Sequence, residues 1–166
     1  MSQVSLADIC SELHSGKGIP AAKISETGAY PVMGGNGLRG YTNTFNFEGE
    51  CAVIGRQGAA CGNVRYFSGK AYMTEHAVIA RAGEGHNSRY LAYMLSRENL
   101  GRLSGQSAQP GLSVKTLAKQ VYDMPSRDEQ DSIASYLSLI DEKIALNQQI
   151  NGYLQQCGDA LFTEMF

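Results

Sequence analysis

The sequence predicts an α+β fold: a compact domain with a mixed or antiparallel sheet and short helices, followed by one long C-terminal coiled-coil helix. Three observations carry this. Glycine-bounded β-like runs interleave with short helical patterns through the first three quarters of the chain. Of 19 glycines 17 precede residue 126, as do all 4 prolines, so turns crowd one part and nearly vanish from the other. The remainder repeats apolar residues at helical spacing. With 166 residues, 43% hydrophobic and 18% charged, the chain is sized for one domain plus one appended element, with a core that needs no covalent staples.

In chain order, Leu6, Ile9, Cys10 and Leu13 recur at helical spacing and predict an opening helix before the Gly16-Lys17-Gly18-Ile19-Pro20 turn. Strands are predicted at Ala29 to Met33, Cys51 to Gly55, Asn63 to Phe67 and Ala77 to Ala82. Asn87 or Ser88 suits the cap of a helix carrying Tyr90, Leu91, Met94 and Leu95, and Ser113 the cap of another through Lys119. Gln120 to Met124 reads as a last strand. Ser126 with Glu129 then forms a capping box, and Pro125 sits just outside it, where it costs no helical hydrogen bond.

The division falls at residue 125: residues 1–125 form the compact domain and 126–166 the helix. Charge repeats it, with 12 Lys+Arg against 9 Asp+Glu before the boundary and 2 against 7 after. Alternate steps of four and three from Ile133 reach Leu137, Ile140, Ile144, Asn147, Asn151, Leu154, Gly158, Leu161 and Met165, a heptad-like ladder that asks for a helical partner. Asn147 and Asn151 interrupt it, as polar residues that fix register in such seams do. At about 1.5 Å per residue the helix would run about 60 Å, more than the domain's own surface can cover.

Three segments share a composition: Gly34 to Tyr41, Gly55 to Tyr66 and Ser104 to Gly111 each mix glycine with Arg, Asn or Gln. Those side chains pair bidentately with guanine or adenine edges, and glycine lets a backbone approach a phosphate. The bland alternative is three tight turns with solvated arginines. On the first reading Asn36, Arg39, Arg56, Gln57, Asn63, Arg65 and Gln109 form one DNA-facing surface, with Lys70, Arg81 and Arg89 nearer phosphates. Specificity residing in Phe67 to Tyr72 or Ala82 to Arg89 is the competing placement.

Other chemistry finds less support. Neither G-x-G-x-x-G nor G-x-x-x-x-G-K-[ST] occurs in a nucleotide-binding context. Histidines at 14, 76 and 86 have no metal-ligand spacing, and four cysteines at 10, 51, 61 and 157 make neither a zinc ribbon nor a disulfide scaffold. A thiol hydrolase using Cys61 and His76 lacks an evident activating group. A coiled-coil scaffold without DNA specificity is the third reading. No segment suits a membrane span or signal peptide, and the thiols fit a cytoplasmic protein.

Several strings resemble one family: Tyr30-Pro31-Val32-x-Gly34-Gly35-Asn36-Gly37-Leu38-Arg39-Gly40-Tyr41, Ile54-Gly55-Arg56-Gln57-Gly58-Ala59-x-Cys61-Gly62-Asn63-Val64, Thr74-Glu75-His76-Ala77-Val78, Gln109-Pro110-Gly111-Leu112-Ser113, and Glu129-Gln130 through Ile140-Asp141-Glu142-Lys143-Ile144. From Val4 to Phe166 the chain resembles a specificity subunit of type I restriction-modification systems. The resemblance implies two target-recognition domains per subunit, each followed by a long helix, with the helices antiparallel and each domain reading half of a split double-stranded DNA target. One domain and one helix here imply a half-subunit that forms a homodimer, or a piece of a longer protein. The resemblance also implies no catalysis and no cofactor on this chain. S-adenosylmethionine belongs to a partner adenine methyltransferase subunit, which a restriction translocase subunit can join.

Overall fold

The computed structural model describes residues 2–104 and 111–165. Eight strands, β1 (Ser2–Ser5), β2 (Cys10–Ser15), β3 (Tyr30–Gly34), β4 (Gly37–Thr42), β5 (Phe47–Gly55), β6 (Val64–Met73), β7 (Ala77–Ala82) and β8 (Val121–Met124), alternate with four helices, α1 (Leu6–Ile9), α2 (Ser88–Arg97), α3 (Val114–Ala118) and α4 (Arg127–Met165). Six strands form one sheet in the order β2-β7-β5-β6-β3-β4, while β1 and β8 pair separately. Only β3 with β6 is parallel, so the sheet is mixed.

Strand alternation divides the core. On β5 and β7, Ala52, Ile54, Val78 and Ala80 face one cluster, built with Leu91, Leu95, Leu100, Leu112 and Leu117 from the helical side. Cys51, Val53, Ala77 and Ile79 face the other, with Phe47, Ala71 and Met73. A period of two is what a sheet covered on both faces requires of its central strands. Burial pushes the thiols of Cys10 and Cys51 up to about 12, which keeps them as packing groups.

Several elements differ from the sequence expectation. The opening helix is one turn, capped by the Ser5 hydroxyl accepting from Asp8 N–H at 3.3 Å. Beyond it, Cys10 to Ser15 pair with β7 through a bulge between Cys10 and Glu12. Four apolar residues at spacing 3, 1 and 3 fit a single turn followed by a strand as well as a helix, and pairing with a buried strand decides. The expected strands at Cys51 to Gly55 and Asn63 to Phe67 are parts of the longer β5 and β6. Their glycines do not end them: Gly49 and Gly69 lie directly opposite each other at φ 124° and 118°. The Gly34 to Tyr41 segment, for which a tight turn was the bland alternative, is largely β4 and the tip of a hairpin. Gly40 is required within it, because at φ 145° any Cβ would stand 2.7 Å from Ile24 Cγ2.

The later helices keep their expected caps. Asn87 Oδ1 accepts from Tyr90 N–H at 2.9 Å and Ser113 Oγ from Thr116 N–H at 3.1 Å. At the start of α4 the box is reciprocal: Ser126 N–H donates to Glu129 Oε2 at 3.0 Å and Glu129 N–H to Ser126 Oγ at 3.4 Å.

Gln130, 1% exposed, locks this corner. Its amide nitrogen donates to the Pro125 carbonyl at 2.9 Å, and its amide oxygen accepts from Asn87 N–H at 3.0 Å. Asp131 accepts from Asn87 Nδ2 at 2.6 Å and from Arg127 Nε at 2.8 Å. Tyr93 donates to Asp141 at 2.6 Å, the last hydrogen bond from α2 to α4 among the described residues. From residue 139 to 165 every position of α4 is exposed, so its second half stands clear of the domain.

Candidate nucleic-acid interface

Two of the three composition-matched segments converge, and the described end of the third joins them. The tip of the β3–β4 hairpin brings Gly35, Asn36 and Arg39, the link from β5 to β6 brings Gln57, and the start of β7 brings His76, around an open cavity of about 300 Å³. Gly111, the described end of the third segment, forms a bridge with Gln57, and Leu112 N–H donates to the Arg56 carbonyl at 2.8 Å. Gln109 lies outside the described residues.

Glycine permits this convergence. A Cβ on Gly35 would press to 2.7 Å from the His76 carbonyl and 3.2 Å from Gly55 Cα. Gly37 adopts φ 98°, which favours glycine, and the Arg65 side chain passes beside it, with Nε 3.5 Å from the place of a Cβ. Arg39 covers Gly34, its Cδ standing 2.7 Å from the place of a Cβ. Two guanidinium-bearing chains therefore bracket the hairpin tip, both on exposed residues.

His76 holds the floor. Its Nδ1 lies 3.0 Å from Gln57 Oε1 and its Nε2 3.3 Å from Glu75 Oε1, so the imidazole links the two side chains. The sequence reading weighed His76 only with Cys61 in a thiol hydrolase and missed it as a neighbour of Gln57. Cys61 donates to the Arg56 carbonyl at 3.4 Å, and no hydrogen bond joins it to His76 among the described residues. Among the same residues no group of His, Cys, Asp or Glu has the arrangement of a metal site.

Other expected contacts are placed elsewhere or already occupied. Arg56 is half-buried and donates to Ser15 Oγ at 3.3 Å. Asn63 lines a second cleft of about 300 Å³ with Ser96, Glu98 and Asn99, and Arg65 borders both this cleft and the hairpin tip. Lys70 is exposed, lies 3.5 Å from Glu48 and 4.9 Å from the Phe45 ring centroid, and stands six residues along β6 from Val64, about 20 Å at roughly 3.3 Å per residue. Arg81 pairs with Glu12 at 3.3 Å, donates to the Glu48 carbonyl and lies 4.8 Å above Phe47, so its charge is used inside the fold. Arg89 stacks 4.3 Å over Tyr66, at the joint between α2 and α4.

A glycine-shaped, amide- and guanidinium-lined edge thus sits on a small mixed-sheet domain that carries a helix rod whose apolar face is exposed. The chain belongs to the family described as the type I restriction modification DNA specificity domain, whose model matches residues 1–156. It is 40% identical over 134 residues to the type I restriction enzyme EcoprrI specificity subunit of Escherichia coli, covering 78% of this chain and 33% of that protein. In structure it resembles the S subunit of a type I restriction-modification system from M. genitalium, with TM-score 0.77 and 19% identity over 87% of this chain and 40% of that one. A chain from a structure describing complex assembly and conformational transition of the type I R-M system matches with TM-score 0.68 and 18% identity, over 87% and 39%. The chain thus spans about a third of the E. coli relative and about two fifths of the structural neighbours. Among the described residues no helix is long and apolar enough to cross a membrane.

Proposed function

We propose that this chain is the DNA-reading component of a type I restriction-modification complex, recognising one half of a bipartite target in duplex DNA. The observation that carries it is the convergence of Asn36, Arg39 and Gln57 on one glycine-shaped edge, beside Arg65. Arg pairs two acceptors on guanine, and Asn or Gln pairs the donor and acceptor of adenine in the major groove. Arg56 acts from beneath, holding the β5–β6 link, and Lys70 is suited to an outlying phosphate.

The chain itself performs no chemistry in this account. A methyltransferase subunit supplies adenine methylation from S-adenosylmethionine, a translocase subunit supplies restriction, and the complex works in the cytoplasm. The family membership and the EcoprrI relative support this division.

Two copies reconstitute a symmetric reader. The seam Ile133, Leu137, Ile140, Ile144, Asn147, Asn151, Leu154 and Leu161 pairs antiparallel with itself, so the two domains stand at opposite ends of the rod and read inverted half-sites at a fixed spacing. The apolar surface is wider than that seam: Tyr136, Leu139, Leu146, Ile150 and Tyr153 form a second exposed stripe beside it. A methyltransferase subunit is the partner suited to this stripe once the dimer has covered the first.

The direct test is target-site affinity of the complex reconstituted with its methyltransferase. Arg39→Ala is expected to weaken specific binding by about 1 to 3 kcal/mol, with less effect on random DNA. Unchanged affinity and salt dependence would remove Arg39 from the interface. The isolated chain, with only a modest excess of basic residues in its domain, is expected to bind DNA non-specifically, with Kd of roughly 10⁻⁴ to 10⁻⁶ M at physiological salt.

A further inference from the structure

Gln57 and His76 line the same open cavity as Asn36 and Arg39, and their backbones are tied in place. Arg56 N–H donates to the His76 carbonyl at 3.0 Å, Thr74 N–H donates to the Met33 carbonyl at 2.9 Å, and Gln57 forms a bridge with Gly111. The Gln57 side chain is exposed, so what remains to be set is which end of its amide turns outward. The two ends are chemically opposite, because the oxygen accepts and the nitrogen donates.

We propose that His76 is a positioning residue that makes this choice. It holds Gln57 by the amide oxygen and leaves the nitrogen for DNA, so the edge shared with Arg39 reads base acceptors, and guanine is the base it fits. The inference rests on the DNA-reading role proposed above and narrows it.

Two observations carry it. Gln57 Oε1 lies 3.0 Å from His76 Nδ1, and since that oxygen can only accept, the ring nitrogen donates. Glu75 Oε1, 3.3 Å from Nε2, is an acceptor on the other side of the ring. Glu75 Oε2 is buried without a hydrogen-bond partner, and among the described residues the carboxylate has no other ion pair, so the imidazole is the group that offsets its charge. A ring flanked by two acceptors gives a proton to each. The Gln57 amide nitrogen, by contrast, has no hydrogen bond among the described residues, and neither has the Arg39 guanidinium. Free donors therefore dominate this edge. In the major groove guanine offers two acceptors, O6 and N7, whereas adenine sets a donor beside its acceptor and asks the reader for both. With its oxygen engaged, Gln57 suits the first.

The test is base preference in the complex reconstituted with its methyltransferase, on duplexes that carry each base in turn at every position of the half-site found by methylation mapping. Gln57→Ala locates the position that Gln57 reads, and the wild-type complex is expected to favour guanine there by about tenfold or more. His76→Asp replaces the donor facing Gln57 by an acceptor, which turns the amide round, and is expected to erase that preference. His76→Asn can donate again from nearly the same place and is expected to restore most of it. Gln57→Glu offers oxygen at either end whatever His76 does, and is expected to lose the preference with the melting temperature unchanged. A wild-type preference for a base other than guanine, or one that survives Gln57→Glu, would overturn the donor assignment. A preference that survives His76→Asp, or one that falls equally at all positions in both His76 variants together with the melting temperature, would overturn the part given to His76 while leaving Gln57 a reader. Unchanged recognition at every position in Gln57→Ala would instead overturn the DNA-reading role of Gln57 itself.

Discussion

Arg39 and Arg81 have the same side chain and opposite fates. Arg39 lies exposed across the hairpin tip, whereas Arg81 pairs with Glu12 and covers Phe47 on the second core cluster. Arg81→Ala is accordingly expected to lower thermal stability without a specific loss of DNA recognition, the reverse of Arg39→Ala. A melting curve and a binding isotherm on each variant check the pair. The sequence grouped Asn36, Arg39 and Gln57, which line one cavity, because glycines surround them, and that local composition needs no tertiary information. It did not reveal Arg81, whose partner depends on the β2–β7 register, or Arg89, whose Tyr66 contact joins residues from different elements. Acid should loosen the α4 joint. Hydrogen bonds from Ser126 hold Glu129 below its ordinary 4.5, and those from Asn87, then Arg127, hold Asp131 below its ordinary 3.8. A carboxylate with a depressed folded value contributes stability that is present above its ordinary value and is lost as pH falls toward the folded one. Amide shifts of Asn87 and Glu129 should therefore move as the pH drops below those ordinary values; static shifts down to pH 2 would contradict the assignment.

At the scale of elements, capping chemistry was readable because each cap is complete within four residues, as at Asn87, Ser113 and Ser126. The β2 strand and the hairpin strand β4 were not, because their identity is decided by long-range partners. Cys10 to Ser15 becomes a strand by pairing with β7, and Gly37 to Thr42 by pairing with β3. The hairpin tip supplies a sharp test. Gly35→Ala would force a Cβ against the His76 carbonyl and Gly55, displacing Asn36 and Arg39 from Gln57. It should cost specific binding while the core, represented by Leu91 and Leu95 on α2, still folds cooperatively. By contrast Leu91→Ala, at a fully buried site, should destabilise the domain by about 2 to 5 kcal/mol in denaturant unfolding.

The whole molecule is a small sheet domain fixed to a rod, and the heptad-like ladder in the rod's sequence corresponds to an apolar face that the domain leaves exposed. Its exposed seam holds Ile133, Ile140, Ile144, Leu154 and Leu161, each between 41% and 64% exposed. Burying such a side chain contributes roughly 1.5 to 3 kcal/mol by transfer, so the sum outweighs the cost of association. Leu137→Glu should therefore give monomers by sedimentation; a variant that stays dimeric would return the seam to another role. The periodic pattern did not disclose how wide the apolar surface is, because Tyr136, Leu139, Leu146, Ile150 and Tyr153 fall off the four-three ladder. In the proposed dimer two identical readers face opposite ways along one rod. Mapping methylated adenines in cells that express this chain with its methyltransferase partner tests that claim most directly. The account predicts two identical half-sites in inverted orientation separated by a fixed spacer, and an asymmetric bipartite target, or no dependence of methylation on this chain, would contradict it.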